Sequence, residues 1–170
     1  MEFNRDTRYQ GRRRADGTLH ILYGMIFKEY KNFFNTEECN RLINLFKTSA
    51  QDQEKYRDTT ILRIKEPPTK LLDTLKKDFN IILNYGQIVH WPEGSFMDRH
   101  YDGEITKDNN FTAICYLNDN FKGGRTLLED KMIDPKMGKL IVFNSQKMEH
   151  GVEKVRGNRF TYISWWKKQL

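Results

Sequence analysis

The sequence predicts an α+β chain in which two helices lie against a β-sandwich or barrel of jelly-roll type. Three observations carry this expectation. Two segments upstream of residue 80 place apolar residues at helical spacing. From about residue 86 onward, short β-rich runs alternate with turn signals every 8–12 residues or so. A length of 170 residues suits one domain that buries its core without disulfide or metal staples.

Taken in order, residues 1–15 read as a basic, poorly ordered arm and residues 16–170 as a single domain. Asp16-Gly17 marks a turn, and residues 19–26 read as one strand. Asn35 followed three residues later by Glu38 is a capping box opening a helix, with the apolar stripe Cys39, Leu42, Ile43, Leu45 and Phe46. Residues 50–60 are polar and predict a loop; residues 60–64 are strand-like, and Pro67-Pro68 ends them. Pro68 suits the first position of a second helix, which carries Leu71, Leu72, Leu75 and Phe79 on one face. Strand runs follow at residues 87–91, 111–117, 127–128, 140–143, 150–155 and 160–166, separated by Gly-, Pro- and Asn-rich turns.

Charge and cysteine usage narrow the class. Net charge is +6, and half of it sits in the first 14 residues, where Arg5, Arg8, Arg12, Arg13 and Arg14 oppose Glu2 and Asp6. Such an arm can bind nucleic acid or an acidic protein surface, but no aromatic interleaving or nucleic-acid motif accompanies it. Cys39 and Cys115 match no zinc or disulfide spacing and read as idle thiols in a reducing compartment. With no signal sequence and no run of 18 apolar residues, the expectation is a soluble, cytoplasmic protein without a membrane partner.

His100-Tyr101-Asp102, His150 and Arg159 form the constellation that bears chemistry. Two imidazoles and a carboxylate on one face suit a divalent metal and leave positions open for substrate, as oxygen-activating Fe(II) requires. His100 and Asp102 are two apart, so on a strand they share a face. Alone the pair is close to a chance occurrence. Gly157-Asn158 reads as the turn of a hairpin that sets Arg159 beside the strand beginning near His150. Period-2 alternation then points Arg159, Thr161, Ile163 and Trp165 to one face. An inward arginine is expensive unless paired, and a dicarboxylate ligand would pair it bidentately.

The segments His100-Tyr101-Asp102, Tyr116-Leu117-Asn118-Asp119, Lys122-Gly123-Gly124-Arg125-Thr126, Asp134-Pro135-Lys136-Met137-Gly138, Phe143 and His150-Gly151-Val152 through Arg159 resemble the 2-oxoglutarate/Fe(II)-dependent oxygenases of the prolyl 4-hydroxylase type. The resemblance runs from about residue 85 to residue 166, and residues 33–43 resemble the family's leading helix. It implies a double-stranded β-helix with iron held by His100, Asp102 and His150. It further implies that Arg159 takes the distal carboxylate of 2-oxoglutarate, as arginine does in the hypoxia-sensing enzymes, where collagen-type enzymes use lysine. Tyr116 and Thr161 would border the same co-substrate, and O2 and ascorbate, as reductant, complete the implied set.

Two positions depart from the family pattern. His90-Trp91-Pro92-Glu93-Gly94 stands where relatives place a tyrosine before the turn, and Met97 stands where many place another tyrosine. Trp91, Met97 and Trp165 are therefore the candidate substrate-pocket residues, and His90 is read as a wall or structural residue rather than a ligand. Residues 56–68 and 103–110 read as polar loops flanking the mouth, gripping a polypeptide substrate, with one acting as a lid. Two other readings stand beside peptidyl proline. One keeps the chemistry but acts on a free amino acid, nucleobase or other small molecule. The other is a non-catalytic, metal-binding β-sandwich module.

Overall fold

The computed structural model describes residues 18–22, 25–104 and 110–169; the expected arm at residues 1–15 lies outside them. Where one strand was expected over residues 19–26, two antiparallel strands stand, β1 (Thr18–Leu22) and β2 (Met25–Tyr30), with Leu22 opposite Met25. The sequence signal against a single strand is Gly24, which interrupts an otherwise β-prone run.

Helix α1 (Thr36–Thr48) begins as its cap predicts: the Glu38 backbone N–H donates to Asn35 Oδ1 at 2.8 Å. The Glu38 carboxylate does not complete the box; it forms a bidentate pair with Arg41 instead. Cys39, Leu42 and Phe46 are buried, whereas Leu45, placed in the same stripe from its spacing, is 37% exposed at the stripe's edge.

The expected loop at residues 50–60 is mostly a hairpin. After a short 3-10 turn, β3 (Gln53–Tyr56) pairs with β4 (Thr59–Ile64), and Arg57 takes positive φ in the two-residue connection. Strand β3 is an edge strand with nearly every side chain exposed, so it lacks the alternation that would have marked it as a strand. Helix α2 (Thr69–Phe79) has Pro68 as its N-cap residue, one place earlier than expected, and ends on Asn80 in the left-handed conformation.

The remaining strands are β5 (Ile81–Trp91), β6 (Met97–His100), β7 (Phe111–Tyr116), β8 (Lys122–Gly123), β9 (Thr126–Leu128), β10 (Lys131–Ile133), β11 (Leu140–Phe143), β12 (His150–Val152), β13 (Val155–Arg156) and β14 (Arg159–Lys168). They build a major sheet of eight strands, ordered β1-β2-β11-β7-β14-β5-β4-β3, and a minor sheet of four, ordered β10-β9-β12-β6. The pair β13-β8 stands apart from both.

This topology corrects the hairpin expected at Gly157-Asn158. Strand β13 pairs with β8, and β14 pairs with β5 and β7, so Arg159 joins the major sheet while His150 belongs to the minor one. Gly157 and Asn158 connect layers rather than neighbouring strands, and φ of +110° at Gly157 fits that abrupt change of direction.

Two apolar cores result. On one face of the major sheet, Phe111, Ala113 and Cys115 of β7, Leu140 and Val142 of β11, and Phe160, Tyr162 and Trp166 of β14 share a core with Cys39, Leu42 and Phe46 of α1 and Leu71 and Leu75 of α2. On the other, Ile114, Tyr116, Ile141, Phe143 and Ile163 pack with Leu128, Ile133 and Val152 of the minor sheet. The central strands are thus buried on both faces, which is why β11 reads as an unbroken Leu-Ile-Val-Phe run. Both cysteines are free and buried. Among the described residues, no helix is long and apolar enough to cross a membrane.

Candidate metal centre and co-substrate pocket

His100 and His150 are brought together by strand pairing. They occupy directly opposed positions of β6 and β12, with ring centroids 4.4 Å apart. The close approach depends on Gly151: a Cβ there would lie 2.7 Å from Met97 O and 3.2 Å from Arg99 N.

Asp102 arrives by a different route from the strand alternation expected of it. Strand β6 ends at His100, and Asp102 opens a short 3-10 turn in which its backbone N–H donates to Ser145 O at 3.1 Å. Asp102 Oδ1 then lies 3.3 Å from His100 Nε2 and 3.2 Å from His150 Nε2. One ligand atom from each of the three residues lies within 4.8 Å of the others, a set that can hold a metal ion.

The surroundings orient these groups. His100 Nδ1 donates to Asp98 O at 2.8 Å and His150 Nδ1 to Met148 O at 3.0 Å, which turns each Nε2 toward the shared centre. The outer oxygen, Asp102 Oδ2, accepts from Thr112 Oγ1 at 2.5 Å and from Trp165 Nε1 at 2.9 Å. Burial alone would raise the Asp102 carboxyl, but hydrogen bonds from His100, His150 and Thr112 hold it well below the usual carboxylate range. The hydrogen bond to Asp102 in turn raises His100.

Arg159 is fully buried on β14. Its Nε and Nη1 have no hydrogen-bond partner, and its Nη2 reaches Thr126 Oγ1 at a long 3.4 Å. The guanidinium lies over the Trp91 ring at 4.9 Å and the Tyr116 ring at 5.5 Å. Burial lowers its pKa to about 10, so it remains a cation at neutral pH. A buried cation with two unused donors is costly. It fits a carboxylate ligand that would accept from both.

Tyr116 Oη lies 2.5 Å from Thr126 Oγ1, and burial raises its pKa. Thr161 Oγ1 accepts from Trp91 Nε1 at 3.2 Å. Thr126 of the minor sheet therefore touches both Tyr116 and Arg159 of the major sheet, and it also lines the cavity that holds the three metal-ligating residues. That cavity has a volume of about 590 Å³. Trp91, Met97 and Trp165 line it, as do Arg57 and Arg63 of the β3–β4 hairpin. His90 points to the opposite face of the major sheet, stacked on Phe160 and bonded to Asn158 Oδ1 at 2.8 Å.

Thr112 and Thr126 were not among the residues expected at the site. Thr112 was legible: it alternates with Ile114 and Tyr116 on the inward face of β7. Thr126 ends the quoted Lys122-to-Thr126 segment, but nothing in that segment tells of a contact across sheets.

The chain is similar in fold to known proteins. Residues 86–167 match the model of the 2OG-Fe(II) oxygenase superfamily. No curated protein matches the chain. Among solved structures, a prolyl-4-hydroxylase from Pseudomonas putida aligns with a TM-score of 0.70 at 18% identity, over 85% of this chain and 93% of its own. The viral collagen prolyl hydroxylase of Paramecium bursaria chlorella virus-1, in its 2OG complex, aligns with a TM-score of 0.66 at 19% identity, over 85% and 96%. A Trichoplax adhaerens prolyl hydroxylase, in complex with a hypoxia-inducible-factor peptide fragment, aligns with a TM-score of 0.70 at 20% identity, over 84% and 83%.

Proposed function

We propose that this protein, whose residues 86–167 match the model of the 2OG-Fe(II) oxygenase superfamily and whose fold is shared by solved prolyl hydroxylases, hydroxylates a C–H bond of a peptidyl prolyl residue. The balance is one C–H bond, O2 and 2-oxoglutarate giving C–OH, succinate and CO2. One observation carries the reading: a fully buried guanidinium with two unused nitrogens stands across Thr126 from a three-residue metal face. A zinc module has no use for such a cation.

Residues 16–170 act as one unit in this reading, a double-stranded β-helix with both helices packed on its major sheet; the shared core supports it. His100, Asp102 and His150 hold Fe(II), and the bound metal supplies the oxygen activation. The carbonyls of Asp98 and Met148 fix both imidazoles, and Thr112 and Trp165 aim Asp102. Arg159 pairs the distal carboxylate of 2-oxoglutarate, with Tyr116 and Thr161 completing its surroundings. Trp91 and Met97 shape the walls and limit water around the reacting bond. A polypeptide substrate is supported by the Trichoplax neighbour, whose structure holds a peptide fragment.

The test is aerobic turnover of iron-loaded protein with 2-oxoglutarate, alone and with a library of proline-containing peptides. Succinate should form in both, faster with a productive peptide, and that peptide should gain the mass of one oxygen on proline. Iron-loaded protein that forms no succinate under either condition would sink the oxygenase reading. Oxygen found on another residue would move the substrate alone.

A further inference from the structure

The β3–β4 hairpin brings two arginines to the wall of the metal cavity. Arg57 sits in the connection of the hairpin with its Nη1 3.3 Å from Met97 Sδ, and Arg63 lies near the far end of β4 with its guanidinium 4.9 Å over the Tyr85 ring. Tyr85 stacks on Trp165 at 4.6 Å, and Trp165 donates to Asp102, so Arg63 ends a stack that begins at the metal face.

Both arginines are exposed, and neither forms an ion pair with a carboxylate among the described residues. The other charged residues of the lining are Asp98, Arg99 and Asp102. Arg99 is already engaged with Glu129 O and Glu149, and Asp102 with the metal face. Two uncommitted cations thus face one free carboxylate, Asp98. Their guanidiniums rest on Met97 and Tyr85, which pre-positions each head group and lowers the entropic cost of engaging a partner.

We infer that this mouth selects an acidic peptide, Arg57 and Arg63 reading carboxylate side chains on opposite sides of the reacting residue. The inference rests on the oxygenase reading for what happens to the peptide, though not for its binding. Arg63 lies six positions beyond Arg57, across the turn and most of β4, a span of at most roughly 20 Å at the rise of an extended chain. An extended peptide crossing the cavity would therefore meet them with acidic residues about six positions apart, bracketing the metal. A nucleic-acid strand fits less well. It needs a continuous basic track and free aromatic faces, whereas here the cations are isolated and Tyr85 and Trp165 are stacked on each other.

Fluorescence anisotropy tests this with the full chain, Fe(II) and 2-oxoglutarate under nitrogen, so that no turnover occurs. The probes are labelled peptides with a central proline flanked on both sides by glutamate, by glutamine or by lysine, and a labelled oligothymidylate. The glutamate peptide should bind about tenfold tighter than the glutamine peptide at low salt, the advantage shrinking as salt rises. Arg57→Gln with Arg63→Gln should erase that preference, and Arg57→Glu with Arg63→Glu should turn it toward the lysine peptide. Equal binding of the glutamate and glutamine peptides, an unaltered preference in either double variant, or tighter binding of the oligothymidylate would overturn the inference. Failure of the oxygenase reading would show separately, as missing succinate on admitting air while the anisotropy preference persists.

Discussion

Arg159 is the residue whose surroundings set the strictest condition on a ligand. Removing water from a guanidinium and leaving two of its nitrogens unpartnered is stable only because the fold overdetermines the position, and a carboxylate would satisfy both at once. Arg159→Ala should therefore weaken 2-oxoglutarate roughly a hundredfold or more while the metal still binds, and calorimetric titration of metal-loaded protein reads both. Unchanged co-substrate affinity would take the clamp away from β14. The pH dependence follows from its sign. Burial lowers a basic group, so its charge is lost as pH rises through about 10, and the Arg159 contribution to affinity should be flat from pH 6 to 9 and fall above that. The sequence grouped Arg159 with Thr161, Ile163 and Trp165 on one strand face, but β14 is buried on both faces, so its own pattern does not tell which face meets the metal cavity. Nor could it show that Thr126 would reach the guanidinium as well, since that contact crosses between sheets.

At the scale of the element, legibility followed how many independent signals each segment carried. Helix α1 had a cap and a period, and both act in the fold; β11 had a continuous apolar run because both its faces are buried. Strands β3 and β10 are short, expose most of their side chains and lie at sheet edges, so their sequence resembles that of loops. The Gly157-Asn158 turn was misread because a glycine with positive φ serves a change of layer as well as it serves a hairpin. Asp102 shows the same limit: two-residue spacing suggested a shared strand face, yet β6 stops at His100. The turn before β11 yields a prediction of its own. Gly138 has φ +79°, its carbonyl accepts from the Phe33 and Phe34 N–H groups, and a Cβ would sit 2.1 Å from Phe34 O. Gly138→Ala should cost about 2 kcal/mol or more in urea unfolding, through strain and through loss of the link between this turn and the entry to α1. A loss below about 0.5 kcal/mol would mean that this link relaxes freely.

For the whole molecule, the division of the site between two sheets is the consequential fact. His100 and His150 lie on the minor sheet, Arg159, Thr161 and Tyr116 on the major one, and Thr126 touches across the gap. A ligand that chelates the metal and also pairs Arg159 therefore ties the layers together, and its binding energy becomes folding energy. Fe(II) with 2-oxoglutarate under nitrogen, each at about a hundred times its Kd, should each add about 2.7 kcal/mol of stability. For a domain of this size that corresponds to roughly 5–10 °C in Tm for each ligand. The two shifts should not be independent. Without metal, 2-oxoglutarate has only the Arg159 end to hold and should raise Tm much less. His150→Ala should abolish the metal increment and most of the 2-oxoglutarate increment with it, whereas Arg159→Ala should abolish only the second. Scanning calorimetry of the three proteins with each ligand separately and together reads all of these differences. Equal 2-oxoglutarate shifts with and without metal would show that the co-substrate does not bridge the sheets, and the site would then have to be rebuilt on one layer.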